Sequence, residues 1–251
     1  MTSPRGLHKR SHAVRVHRFL PQYTGPHSGP VPLVLMDHFR MNSSTQKEQR
    51  PSWGPPARGV FVDVLGTLIE PVGDGTHFPA FDDATFYDGV LDGLFHATQA
   101  GWLFYLTGNM DSVAFGAQSM EDWIEFQSAL HAHFTSLGIK LRRDYCCTEH
   151  PEGVGERARD SVYRLPGTGA MHHAAQADGI RLNLSWVVGD STLDLVTGWR
   201  AGCRLAGVQT GKNLTDKEFG VEPELVGRTA AGILKEIARD VTLLHRVAES
   251  A

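Results

Sequence analysis

Three short apolar runs each end in a single polar residue followed by a turn, and this repeated pattern limits what the chain can fold into more than any other feature. The runs are "GVFVD" ending at Asp63, "WLFYLT" ending at Thr107 and "SWVVGD" ending at Asp190. Each is too short for a stable helix and rich in Val, Phe, Leu and Tyr, as expected of strands buried on both faces. Segments of helical spacing lie between them. "DGVLDGLFHATQAG" puts Val90, Leu91, Leu94 and Phe95 on one face, with Gly101 just past its end. "SMEDWIEFQSALHAHFTSLG" opens on Ser119 with an acid close behind and keeps helical spacing up to Gly138. "GAMHHAAQADG" and "STLDLVTGWRAG" read as two more helices, and "CRLAGVQTG" as a further strand. Strands alternating with helices predict an α/β fold with a Rossmann-like, doubly wound parallel sheet. Ligands of such sheets bind at the carboxyl ends of the strands, where Asp63, Thr107 and Asp190 all fall.

Composition sets the outer bounds. With 251 residues, 41% of them hydrophobic, the chain can build one large α/β domain plus a tail. It contains no run of eighteen apolar residues and no apolar stretch after its basic start, so neither a membrane span nor a secretory signal is expected. Three cysteines, Cys146, Cys147 and Cys203, do not make a disulfide framework and predict a reducing, cytoplasmic setting. The net charge of −4 hides an asymmetry: residues 1–58 hold nine Lys/Arg against two Asp/Glu, leaving 15 basic against 26 acidic residues for the rest. The predicted organisation is a basic N-terminal extension and linker over 1–58 and a catalytic-type domain over 59–251. A basic arm without interleaved aromatics reads as solvated, so nucleic acid is not the expected partner.

Within the extension, "HAVRVHRFLPQ" and "VPLVLMDHF" read as two short strands, and the polar, proline-bearing stretch from Met41 to Arg58 as a linker. Residues 12–39 also resemble the opening strands of pirin-type cupins. The histidine-rich metal motif that follows in pirins is missing here, so no cupin metal or activity is implied.

The three strand-end residues suggest a chemistry. Asp63 and Asp190 are placed to converge on one Mg²⁺, a hard cation that prefers oxygen. Thr107 would offer its hydroxyl to a phosphate oxygen, and the backbone amides of Gly108 and Asn109 would add donors. A carboxylate beside such a metal can attack phosphorus and form an aspartyl-phosphate.

In order and spacing, "FVDVLGTL", "LFYLTGN" and "VVGDSTLD" resemble the first, second and fourth motifs of the haloacid-dehalogenase (HAD) superfamily. Within it the chain is most similar to the heptose-bisphosphate and histidinol phosphatase branch. That likeness is carried by "FYDGVLDGLFHATQAGW", "TGNMDSVAFG", "CCTEHPEG" and "YRLPGTGAM". The resemblance implies the HAD fold, with Asp63 as nucleophile. It also implies metal ligation by Asp63, the Leu65 backbone carbonyl and Asp190, with Asp194 orienting the metal shell, and phosphate contact from Arg164. The short stretch between Asp63 and Gly89 leaves no room for a helical cap, so an open, capless site is expected.

The chain departs from that pattern at three places. Leu65 stands where the phosphatases have the acid that protonates the leaving group, a loss worth on the order of 10²–10⁴-fold in rate. Leu165 stands at the third-motif lysine; adjacent Arg164 would cover part of the missing charge, although a guanidinium is not an ammonium in geometry. The branch's zinc-loop positions are Cys147, Glu149, Ser161 and Tyr163, with one good ligand among four, so no zinc is expected. Haloacid dehalogenases proper also lack the acid, but the "GDSTLD" motif and the absent cap argue against dehalogenation. His172 and His173 begin a helix and cannot face one site together, and Asp111 and Ser112 fall in the branch's substrate-facing loop. Two functions stay open: a slow Mg²⁺-dependent phosphomonoesterase acting on a small sugar or polyol phosphate, or a pseudophosphatase kept as a binding or regulatory module.

Overall fold

The computed structural model describes residues 56–240. The two upstream strands, the linker and the cupin likeness lie outside the described residues. Six strands form one parallel sheet: β1 (Gly59–Asp63), β2 (Leu103–Thr107), β3 (Leu141–Asp144), β4 (Trp186–Gly189), β5 (Arg204–Val208) and β6 (Leu225–Gly227), in the spatial order β3-β2-β1-β4-β5-β6. The helices are α1 (Val90–Gln99), the single turn α2 (Asp111–Ala114), α3 (Met120–Ser136), α4 (Gly169–Asp178), α5 (Thr192–Ala201) and α6 (Ala230–Arg239).

The central strands are apolar on both faces because side chains alternate to opposite faces along nearly all-apolar runs. Val60 and Val62 of β1, Phe104 and Leu106 of β2, and Trp186 and Val188 of β4 enter a core with Val90 and Leu94 of α1, Phe126 and Leu130 of α3, and Ile233 and Leu234 of α6. Phe61, Tyr105 and Val187 point the other way, onto Ala170, Met171 and Ala174 of α4. Full burial of a side chain such as Leu94, Phe104 or Leu106 contributes roughly 1.5–3 kcal/mol. At the amino end of the sheet, Arg58 lies over Trp102 and Arg204 over Trp186, their guanidinium carbons 4.1 and 3.9 Å from the ring centroids. Both arginines bond Asp240, at its carbonyl and its carboxylate respectively.

The predicted doubly wound sheet is present. It extends beyond the expected strands by the edges β3 and β6, and α6 follows. Residues 64–89 contain no cap domain. They hold short bridges at Leu65–Ile69 and Ile69–Phe86, an antiparallel bridge between Val72 and His77, and a 3-10 turn at Phe81–Asp83. No described helix is long and apolar enough to cross a membrane.

Candidate active site

Asp63 ends β1 in register with Thr107 on β2, and Asp190 directly follows β4, the neighbour of β1 on its other side. The chain leaves β1 toward β2 on one side and reaches β4 on the other, so these residues stand at the switch point of the sheet. Asp194 joins them from the first turn of α5. There it forms a capping box with Ser191: the Ser191 hydroxyl accepts from the Asp194 amide at 3.3 Å, and the Ser191 amide donates to Asp194 Oδ2 at 3.2 Å. The Ser191 hydroxyl also donates to Oδ2, at 2.6 Å. All of these bonds on the carboxylate fall on Oδ2. One oxygen from each of Asp63, Asp190 and Asp194 lies within 4.8 Å of the others, and all three residues are buried.

Three carboxylates this close in the interior resist ionisation. Burial pushes the Asp63 carboxyl well above the ordinary range, and the charges of Asp194 and Asp190 push it further; the charge of Lys212 and a hydrogen bond from the Val64 backbone amide oppose this. Burial and then Asp194 raise Asp190 to about 7. Asp194 is raised by burial and held back by Ser191 and Lys212. The donor set is entirely oxygen, and its repulsion is what a bound divalent cation would relieve, so the residues present fit Mg²⁺.

Two glycines make room for Asp190. At Gly66 (φ +89°) a Cβ would lie 2.2 Å from Asp190 Oδ2, and at Gly211 (φ +51°) 2.0 Å. That oxygen accepts the Lys212 amide at 2.6 Å. The carboxylate is therefore gripped by two loops, one after β1 and one after β5, and any side chain at either glycine would displace it.

These residues open into a cavity of about 360 Å³, walled also by Leu65, Asn109, Met110, Leu165 and Lys212 and, opposite, by Asp74–Thr76 at the tip of the loop after β1. Thr107 is buried beside Asp63. Gly108 presses so close that a Cβ there would lie 2.7 Å from Asp63 Oδ1. The Asn109 side chain clamps the backbone of Leu165, donating to its carbonyl at 3.0 Å and accepting from its amide at 2.9 Å. Arg164 donates to Asp111 Oδ1 at 2.6 Å, so both residues are committed to an ion pair beside the cavity. Ser112 is buried and its hydroxyl has no partner among the described residues. His172 is exposed, and His173 Nδ1 pairs with the Tyr163 hydroxyl at 2.8 Å.

The loop from Cys146 to Ser161 is tied by its own side chains. The Cys147 thiol donates to the Glu149 carbonyl at 3.5 Å, Arg159 donates to the Glu149 carboxylate, and Tyr163 stacks on His173. Burial raises the Cys147 and Cys146 thiols and so favours the neutral forms, which are poor metal ligands.

Lys212 is the site residue that the sequence reading missed. Its only signal is the string "QTGK", which brings a lysine just past the carboxyl end of the β5 strand.

The family model of HAD-like hydrolases matches residues 162–232, from the loop before α4 into α6. The D-glycero-beta-D-manno-heptose-1,7-bisphosphate 7-phosphatase of Haemophilus ducreyi is 30% identical over 165 residues, 63% of this chain and 86% of that one. The D-glycero-D-manno-heptose-1,7-bisphosphate 7-phosphatase of Thermosynechococcus vestitus is 31% identical over 165 residues, 62% of this chain and 81% of that one. The crystal structure of D,D-heptose 1,7-bisphosphate phosphatase from B. bronchiseptica, complexed with magnesium and phosphate, shares the fold. It aligns with a TM-score of 0.63 at 22% identity over 73% of this chain and 99% of that one. With the sheet order, the strand-end carboxylates and these relatives in agreement, the chain belongs to the HAD-like hydrolases, in the branch of the heptose-bisphosphate phosphatases.

Proposed function

We propose that the protein is a Mg²⁺-dependent phosphomonoesterase acting on a small sugar or polyol phosphate, slow because its leaving-group acid is gone. The observation that carries this is the convergence of Asp63, Asp190 and Asp194 at the switch point of the sheet. Asp63, Asp190, Asp194 and the Leu65 carbonyl would hold the cation. When bound, it would neutralise the repulsion between carboxylate and phosphate. Relatives named for heptose bisphosphates support a phosphorylated sugar as substrate class, and the cavity is of ligand size.

In this reading the Asp63 carboxylate attacks phosphorus. A bond forms between Asp63 and phosphorus while the ester P–O bond breaks, and the leaving alkoxide takes its proton from water because Leu65 has none to give. Water then attacks the aspartyl-phosphate, releasing inorganic phosphate and restoring Asp63. Thr107 and the amides of Gly108 and Asn109 orient the phosphoryl oxygens. Arg164, on exchanging Asp111 for substrate, would meet a second anionic group.

A second reading has support in Leu65 and Leu165, two apolar walls where the branch has an acid and a lysine. It makes the chain a phosphate-binding module without turnover. Hydrolysis of an aryl phosphate and an alkyl phosphate with Mg²⁺ separates the two. An activated ester needs little protonation, so we expect turnover of the aryl ester well above the alkyl ester, abolished in Asp63→Asn. A wild type inert on both esters yet still binding Mg²⁺ and phosphate would establish the module instead.

A further inference from the structure

Resting on the phosphatase reading, we propose that Lys212 supplies the phosphate-binding ammonium missing at position 165, reaching the phosphoryl group from the β5 side of the cavity.

The need for a cation follows from charge. Three buried carboxylates with one divalent cation leave a net −1, and a phosphate dianion brings the centre to −3 at short range in a poorly screened site. Position 165 cannot answer this, because Leu165 is buried and apolar and its backbone is fixed by Asn109. Arg164 is already paired with Asp111 and bonded to the Glu149 carbonyl. Among the described residues, Lys212 is the one Lys or Arg lining the cavity, and it makes no ion pair there.

Its root is fixed at the metal site. The Lys212 amide donates to Asp190 Oδ2 at 2.6 Å, and the Leu214 amide to the Asp190 carbonyl at 2.8 Å. Asp216 accepts from the amide and hydroxyl of Thr192 at the start of α5, and Phe219 donates to the same hydroxyl. This loop therefore returns to the strand end and leaves a flexible four-carbon stem with three donors at the cavity wall.

The test is calorimetric titration of inorganic phosphate into the full chain at saturating Mg²⁺, with Mg²⁺ binding followed separately by the rise in melting temperature. Loss of one charge-assisted phosphate contact predicts affinity weakened about 10–100-fold in Lys212→Met, with the Mg²⁺-induced rise retained. Lys212→Arg should keep most of the affinity, and Lys212→Met combined with Leu165→Lys should recover it. Unchanged phosphate affinity in Lys212→Met, or a larger loss in Arg164→Met, would overturn the proposal. A wild type that binds Mg²⁺ but no phosphate would remove the phosphatase reading and this proposal together. Lys212 is exposed, and an unchanged melting temperature without Mg²⁺ verifies that Lys212→Met folds.

Discussion

Replacing Asp190 by Asn should make the metal-free protein more stable, not less. Asp190 carries a carboxyl moved from 3.8 to about 7 by burial and by the neighbouring Asp194 charge. At roughly 1.4 kcal/mol per pH unit, that corresponds to a cost on the order of 4 kcal/mol for holding the ionised group in the fold at neutral pH. The sign follows from proton binding. Between about pH 4 and pH 7 the folded protein holds a proton at Asp190 that the unfolded chain has released, so stability falls as pH rises through this window. Asn keeps the size of Asp and can still accept the Lys212 amide, so most of the relief should survive. We expect a gain of about 2–4 kcal/mol at pH 7 in EDTA. For a protein of this size that is a melting temperature higher by roughly 5–10 °C, together with a flatter stability profile between pH 4 and 7. Added Mg²⁺ should close most of the gap: at a hundred times its Kd it stabilises wild type by about 2.7 kcal/mol and leaves Asp190→Asn nearly unchanged. A variant melting below wild type in EDTA would refute the reasoning, since Asp190 would then hold the two loops by its hydrogen bonds rather than strain them by its charge. Equal Mg²⁺ shifts in both proteins would count against the metal site itself.

Two further substitutions probe the same pocket. Leu65→Asp should restore a proton donor and raise hydrolysis of the alkyl phosphate by roughly 10²-fold, with a smaller gain on the aryl ester. The added carboxylate should also lower the melting temperature in EDTA, because it joins three that already repel; equal gains on both esters would mean that position 65 does not serve the leaving group. Gly211→Ala should lose most of the Mg²⁺-induced rise in melting temperature, because its Cβ would occupy the space of Asp190 Oδ2. A full rise in that variant would show that the carboxylate is free to move.

How far the sequence reached depends on how local each signal is. β1, β2 and β4 are legible because each is an apolar run that stops at a polar residue, and those polar residues meet at one end of the sheet. β3 is not, because its residues are "LRRD". Arg142 and Arg143 sit in an edge strand where both bond Asp178 at the end of α4, so a salt bridge distant in sequence replaces the apolar pattern. β6, "LVG", is three residues long and is defined by its pairing with β5 rather than by its composition. In α6 the helical signal was present, with Ala230, Ile233, Leu234 and Ile237 buried at positions 1, 4, 5 and 8 of the helix.

The site divides in the same way. Asp63, Thr107 and Asp190 could be read because each lies at or just past the end of an apolar strand, where chain direction decides the placement; Asp194 could be read only through the likeness of "GDSTLD" to the family's fourth motif. Lys212 could not, since a lysine in a polar loop ordinarily means a solvated surface. What turns this one into a wall of the cavity is non-local: a glycine with positive φ beside the Asp190 carboxylate, and an aspartate four residues on that bonds the start of α5. The two leucines show the limit from the other side. Position 65 and position 165 can be named as losses from sequence alone, but whether a loss is compensated depends on which charges share the cavity. Arg164, the neighbour in sequence, is neutralised by Asp111, while Lys212, 47 positions after Leu165, faces the same space. Compensation in such a site is set by the sheet order, which brings the ends of β1, β4 and β5 side by side, and not by proximity along the chain.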